Sequence, residues 1–536
     1  MRHHRWLARQ PSSTRPAAIK VYSKNIQDLT PMGRAFPKIL ALALTTQSAS
    51  GQWAQLGADI IGENESGNAG FAVHINADGT VIAVGDQGAM LDGIDGRGEV
   101  RVYMLQDGEW LAKGAPIQGV EEYDWCGQEV ALDASGDVLA VSSIATYNSD
   151  DNSVGSVRVY EWDGTAWQLR GDVLEGQDNP LGFVTFYGYG LDLSADGNTV
   201  LICGPEKWSV DETMQKVGYV EVFDWNGNTW IQRGESVFGD VSFMELGFNC
   251  AMSPDGQSMV LGGSGFDGSD ETGMARVYEW IAGSWTQKGE DLLGVLPQDE
   301  LGRSVSIADQ GNTIAVGAPG YAIGTTNLEG EVMVYDWDGS AWVQRGATLS
   351  SLENIDFFGA DVSLSADGMR LAVTAGNLTN NDLVVGNAGG GLIYEWNGSE
   401  WELVFGPVLG EVSMEYAREI EMSSDGNTFV LGSFGFSPAG RTRVFTEGLL
   451  NGLTTMERPA FSMYPNPAKE SVNVLWPGDQ DQALYQLVDP QGRVMRVGRI
   501  SSGKLLSIVG LSAGFYRLRL MFQDGRWTEQ SLGIQP

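Results

Sequence analysis

The chain has 536 residues, with 33 Lys and Arg against 69 Asp and Glu, and a formal net charge of −36. Apolar residues make up 42% and glycine fills 72 positions, about twice its usual share, so the chain has the material for a packed core and is not a disordered polyanion. Such a charge excludes nucleic acid and anionic membrane as natural partners, because both need basic surface.

The basic residues are concentrated at the start. Residues 1–51 carry eight Lys or Arg and one Asp. A basic segment followed by an apolar stretch predicts an export signal. It is placed at 32–51: Arg34 and Lys38 precede an apolar run from Ile39 to Leu44, and Ala49-Ser50-Gly51 offers a small-residue cleavage site that leaves Gln52 at the new terminus. Residues 1–31 then read as an upstream extension. No run approaches the roughly 18 apolar residues of a membrane span.

From residue 52 the chain repeats itself about every 57 residues. A Trp followed by a short polar step and Gly recurs at Trp53, Trp110, Trp167, Trp230, Trp285, Trp342 and Trp401. A turn ending in Gly, often Ser-Ala-Asp-Gly, recurs at Gly79, Gly136, Gly197, Gly256, Gly311, Gly368 and Gly426. An aromatic strand of the form Val-Arg-Val-Tyr-Glu-Trp stands between them, from Val100–Tyr103 to Arg443–Phe445. This period is too long for helical solenoids and suits the blade of a propeller.

Each repeat predicts four short strands; in the fifth they are Arg303–Ala308, Thr313–Gly317, Glu331–Trp337 and Trp342–Arg345. The seventh repeat lacks its Trp strand, and the chain begins with a lone one. The order of marks therefore predicts an all-β fold: a seven-bladed β-propeller of four-stranded blades over 52–446, closed by its N-terminal strand. The Trp residues are expected between blades.

Cys126, Cys203 and Cys250 form no spaced pair and sit in apolar strands, which predicts buried thiols. Beyond the leader only His74 remains, which removes His-rich metal sites. There is no HExxH, GxSxG or phosphate-binding loop.

The fifth repeat reads Leu301-Gly-Arg-Ser-Val-Ser-Ile and then Ile314-Ala-Val-Gly-Ala-Pro319. This resembles the FG-GAP repeat of integrin α-chain propellers and their bacterial relatives. The resemblance implies a calcium loop between the first two strands of a blade. Here that turn is cut to Ser-Ala-Asp-Gly, and one Asp cannot supply the six to eight oxygens calcium takes.

A linker over 447–460 leads to a segment of different composition, 461–536, with eight Lys or Arg and six Asp or Glu. It carries Met463-Tyr464-Pro465-Asn466-Pro467-Ala468, then Leu487-Val-Asp-Pro-Gln-Gly492-Arg-Val494, then Gly510-Leu511-Ser-Ala-Gly514-Phe-Tyr516. These marks resemble the type A sorting domain of the type IX secretion system of Bacteroidetes. The resemblance implies secretion and attachment at the cell surface, with the type IX machinery as partner. The residues themselves predict a small Ig-like β-sandwich.

Strand parity puts the long, variable loops of the propeller on one face, where binding residues usually sit. These loops and connections hold Asp92, Asp95, Asp150, Asp151, Asp211, Glu212, Asp267, Asp270, Glu271 and Asp382, with Tyr123, Trp125 and Trp208 on the same side. Tyr187, Phe243 and Phe357 are expected there too. The expectation is a monomeric, non-catalytic binding or adhesion protein that takes a glycan or a protein on these loops. No cofactor is expected, and calcium is the ion their oxygens would suit. The alternative is a secreted glycoside hydrolase or lyase using a carboxylate pair.

Overall fold

The computed structural model describes residues 53–448 without 65–66, 149–151, 266–270, 321–329, 351–355, 381–382 and 384. It describes residues 462–534 without 465–467, 470, 477–481, 489–493, 513 and 523–526. The leader, with Gly51 and Gln52, lies outside the described residues.

The described chain is almost wholly strand; among the described residues, helix is confined to the short turns Pro180–Gly182 and Asp309–Gly311. Seven antiparallel sheets run from 53 to 448, each built on four strands. In the fifth they are Ser304–Ala308, Thr313–Ala318, Glu331–Trp337 and Trp342–Gln344, each within one residue of its expected bounds. A further two-residue strand follows the outermost one, as at Leu349–Ser350, and returns to pair with the third. In the sixth sheet these merge into one strand, Trp401–Leu409. The seventh sheet is made from both ends of this region: Trp53, Ala54 and Gln55 pair antiparallel with Glu447, Thr446 and Phe445.

The recurring turn explains its own sequence. All seven turn glycines have positive φ, between 65° and 84°, which only glycine adopts without strain. In the third sheet Asp196 accepts the Ser194 hydroxyl at 2.7 Å and the Asn198 N–H at 3.0 Å, while Ser194 accepts the Thr199 N–H at 3.0 Å. Ser253, Ser365 and Ser423 repeat the arrangement with Asp255, Asp367 and Asp425. The turn Asp is thus consumed by its own turn.

Two kinds of bond join neighbouring sheets. On the outside, the indole N–H of Trp110, Trp167, Trp230, Trp285, Trp342 and Trp401 donates to the carbonyl of Leu56, Lys113, Arg170, Arg233, Lys288 and Arg345 in the preceding sheet, at 2.8–3.1 Å. The cations of that series reach forward: Lys113, Arg170, Arg233, Lys288 and Arg345 each donate to the carbonyl of the next sheet's turn glycine. The sixth sheet has Val404 at this position, and Arg370 takes over, donating to Gly426 at 3.0 Å.

On the inside, each sheet's first strand neighbours the first strands of the sheets before and after it, and that of the seventh neighbours that of the first. An innermost strand has one edge with no ladder partner, so its N–H groups need other acceptors. Polar side chains of the preceding sheet supply them. His74 Nδ1 accepts from Leu132 at 3.2 Å, Asp192 from Met252 at 2.7 Å, Asn249 from Val305 at 2.9 Å and Ser306 from Leu364 at 3.0 Å. Asp361 accepts from Ile420 at 2.8 Å, Ser363 from Met422 at 3.0 Å, and Glu419 of the seventh sheet from Val73 of the first at 2.8 Å.

Cys126, Cys203 and Cys250 are buried and free. The C-terminal segment forms two antiparallel sheets, of three and four strands. They share one core that includes Val472, Trp476, Leu487, Leu518 and Leu532.

Candidate functional site

The inner strands line a cavity of about 200 Å³ to which all seven sheets contribute. Its polar side chains are mostly acidic: Glu129, Asp192, Asp361, Glu419 and Glu421, with His74. Enclosure by the strands governs their protonation. Burial pushes Asp192 up to about 7 and lifts Glu419 well above its ordinary range. Asp361 and Glu129 are raised by burial and then by the charge of Glu419; Glu421 is raised by burial and then by the charge of Asp361. Burial pushes His74 down to about 4, against the pull of Asp133. A neutral imidazole is what its acceptor role toward Leu132 requires.

This cavity adjoins a second, of about 410 Å³, and the two share Glu129, Asn249, Asp361 and Glu419. The second lies where the inner strands begin, and its walls are aromatic: Tyr189, Phe248, Phe357, Tyr416 and Phe434. Tyr189 and Phe248 have ring centroids 5.0 Å apart, and Tyr416 stacks on Phe434 at 5.8 Å. Two guanidiniums are set among the rings. Arg418 lies 3.5 Å over Phe71 and pairs with Glu419 at 2.7 Å; Arg303 lies 5.2 Å from the Phe248 ring and pairs with Glu300 at 2.7 Å. The chamber therefore offers flat apolar faces, planar donors and acceptors, and acids whose ionisation burial disfavours.

Of these acids Asp361 and Glu419 are committed to N–H groups of the next sheet. Glu129 makes no such bond; its carboxylate has only a long contact of 3.4 Å to the Val130 N–H.

Repeat register could have found this chamber. The residue eight positions before the turn glycine is Phe71, Tyr189, Phe248, Arg303 and Arg418 in the first, third, fourth, fifth and seventh repeats. Glu129, Asn249, Asp361 and Glu419 stand seven before it. Aromatic, guanidinium and carboxylate groups thus fall in two adjacent columns at the start of the inner strands.

Apart from Phe357, the residues expected on the loops do not line this chamber. Asp92 is exposed and pairs with Arg97 at 3.4 Å. Asp95 is exposed, and its carbonyl accepts the Tyr123 N–H at 3.0 Å. Tyr123 and Trp125 gather beside Gly96, where a Cβ would stand 2.8 Å from the Tyr123 ring. Asp211 is held by the hydroxyls of Ser209 and Thr213 at 2.7 and 2.8 Å. Trp208 stacks on Phe183 at 5.8 Å. Glu212, Glu271 and Phe243 are exposed on separate loops. Tyr187 corrects the expectation: it is fully buried, stacked on Tyr219 and donating to Glu221 at 3.0 Å. Phe357 alone of these aromatics reaches the chamber. Asp150, Asp151, Asp267, Asp270 and Asp382 lie outside the described residues. Among the described residues no three His, Cys, Asp or Glu side chains converge as a metal site. The turn where an FG-GAP repeat would carry calcium does not fit the ion, since its Asp is engaged within the turn.

In the C-terminal segment Tyr516 is buried and donates to the Ser512 carbonyl at 3.1 Å, Gly510 has φ 89°, and Leu511 packs against the core. Gly514 opens the strand Gly514–Phe522, and Tyr464 closes the strand Ser462–Tyr464. Pro465, Asn466, Pro467 and Gly492 lie outside the described residues. The family described as Secretion system C-terminal sorting domain matches residues 462–533. The segment is a type IX sorting domain, and the protein is secreted, to the cell surface or the extracellular space. A search of curated proteins finds no match to the chain. Among the described residues no helix is long and apolar enough to cross a membrane.

Proposed function

We propose that the seven sheets are the blades of a seven-bladed, FG-GAP-like β-propeller closed by its N-terminal strand, and that it binds a glycan at the cell surface without turning it over. The observation that carries this reading is the chamber of about 410 Å³ with five aromatic side chains in its wall. Ring faces stack on the apolar faces of sugars, while Asn249, Arg303 and Arg418 offer planar groups to their hydroxyls. The C-terminal domain would deliver the propeller through the type IX machinery, and the chamber would then engage its ligand outside the cell. The test is a glycan panel followed by titration of the best binder. Phe248→Ala and Tyr416→Ala are expected to weaken it at least tenfold, and Asp211→Asn on the loops to leave it unchanged. Equal affinity in all three variants would overturn the reading.

One observation favours a second reading. Glu129 is a buried carboxyl whose burial favours the protonated form and whose bonding within the protein is a long contact to the Val130 N–H, and it faces a chamber that also holds Asp361 and Glu419. That is the disposition of a general acid in a glycoside hydrolase or lyase. Release of short products from a polysaccharide, abolished by Glu129→Gln, would decide for the enzyme.

A further inference from the structure

At the edge of the first sheet, Asp86 ends the second strand and Glu99 begins the third, directly opposite one another. Both are buried, at 4% and 2% exposure. Corresponding pairs elsewhere are Ser143–Ser156, Gly204–Tyr219, Gly263–Met274, Ala318–Glu331, Ala375–Gly390 and Ser433–Arg441, so no other sheet opposes two acids here. Like charges placed opposite one another in a sheet are destabilising, and burial makes them more so.

Their bonding is half complete. One Asp86 oxygen accepts the Asn68 N–H at 2.6 Å, and one Glu99 oxygen accepts from Asn64 at 3.1 Å and Arg101 at 2.8 Å. The other oxygen of each, Asp86 Oδ2 and Glu99 Oε2, is buried without a hydrogen-bond partner. A cavity of about 10 Å³, room for one water-sized occupant, is lined by both residues together with Glu63 and Arg101. Gly67 closes over the site: a Cβ there would stand 2.2 Å from Asp86 Oδ2. The two buried carboxylates face one guanidinium, Arg101, which is shared with the largely exposed Glu63 at 2.7 Å, a deficit of at least one positive charge.

We infer that Asp86 and Glu99 hold a divalent cation, calcium by the hardness of its oxygen donors, at this edge of the first sheet. Calcium accepts amide and main-chain oxygens beside carboxylates, so two acids suffice where other oxygens complete the shell. Burial raises Asp86 to about 6, helped by the charge of Glu99 and resisted by the Asn68 and Gly88 amides and Arg101.

The test is calorimetric titration of calcium chloride into the secreted full chain after chelation, with melting curves in parallel. One ion per chain is expected. The melting temperature should rise by several degrees and fall back with chelator, since a ligand of the folded state stabilises it. Asp86→Asn and Glu99→Gln should each weaken binding at least tenfold, with Asp92→Asn as the unaffected control. Should a variant misfold, the wild-type titration decides alone. No uptake at millimolar calcium, or variants that bind as tightly as wild type, overturns the inference. A carboxyl pair that merely shared a proton would give the first of these results. Glycan binding in the chamber is a separate measurement, and neither outcome depends on the other.

Discussion

Glu419 accepts the main-chain N–H of Val73 at 2.8 Å, across 346 positions of sequence. It is the same bond that Asp361 makes to Ile420 and Asp192 to Met252 between consecutive sheets. The first and last sheets are therefore joined as the other pairs so bonded are, and on the outside the Trp110 indole of the first sheet donates to the Leu56 carbonyl at 2.8 Å, while Trp53 packs at the seam between the sixth and seventh sheets. Trp53 stacks on Phe405 at 5.5 Å and lies 5.4 Å from Phe429.

Trp53→Ala is expected to cost about 3–5 kcal/mol, the usual range for an emptied aromatic site in a core. Deleting Trp53–Gly57 removes the strand pairing as well and should lower the melting temperature further. Denaturant and thermal melts of both variants check this. A deletion variant that melts like wild type would refute closure by this strand.

The acids of the inner cavity set a pH dependence. Asp192 sits at about 7 in the fold against an ordinary 3.8, so its contribution is full at low pH and is lost as pH rises through 7. Glu129, Asp361, Glu419 and Glu421 run in the same direction. His74 opposes them: held at about 4 against 6.5, it costs stability as pH falls between those values. Five carboxyls outweigh one imidazole, so the melting temperature should fall from about pH 5 toward about pH 9. Asp192→Asn should flatten the part of the curve below about pH 8. A melting temperature that climbs toward pH 9 in wild type would contradict the assignment.

Trp230→Phe keeps the ring in the seam and removes one N–H. The Arg170 carbonyl, its partner at 2.8 Å, is left without that bond. A loss of about 1–2 kcal/mol is expected from denaturant titration. Trp230→Ala empties the site and should cost about 3–5 kcal/mol. No loss in Trp230→Phe would mean that the hydrogen bond contributes nothing beyond packing.

Removal of 462–536 should leave the protein in the periplasm while its seven sheets still fold. Cell fractionation with an antibody to the sheets measures this. Normal export of the truncated chain would show that the address lies elsewhere.

The repeat period, the turn glycines and the strand bounds were legible because each is a local rule written seven times. Gly197 must have positive φ, and Ser194 and Asp196 bond within the same turn, so the sequence carries the whole cause. Leu349–Ser350 was not legible, because two residues after a glycine make no pattern. The chamber was missed for a different reason. Long loops rich in Asp suggested binding, yet Asp211 bonds to its own loop and Asp92 pairs with Arg97. Phe248, Arg303 and Arg418 sit instead at the start of inner strands. They come together only when separate repeats are brought round to face one another, which no stretch of one repeat reports. Tyr187 misled because its neighbours in sequence belong to a loop, while its ring belongs to the core beneath.

The pairing of Trp53–Gln55 with Phe445–Glu447 has a consequence for how the molecule is made. The strand Trp53–Gln55 is synthesised nearly four hundred residues before its partner, so their pairing cannot form until the whole seven-sheet region has been made. Until then the seventh sheet has an unpaired edge and the first sheet lacks the contact that Glu419 provides. Contacts between such distant positions slow folding.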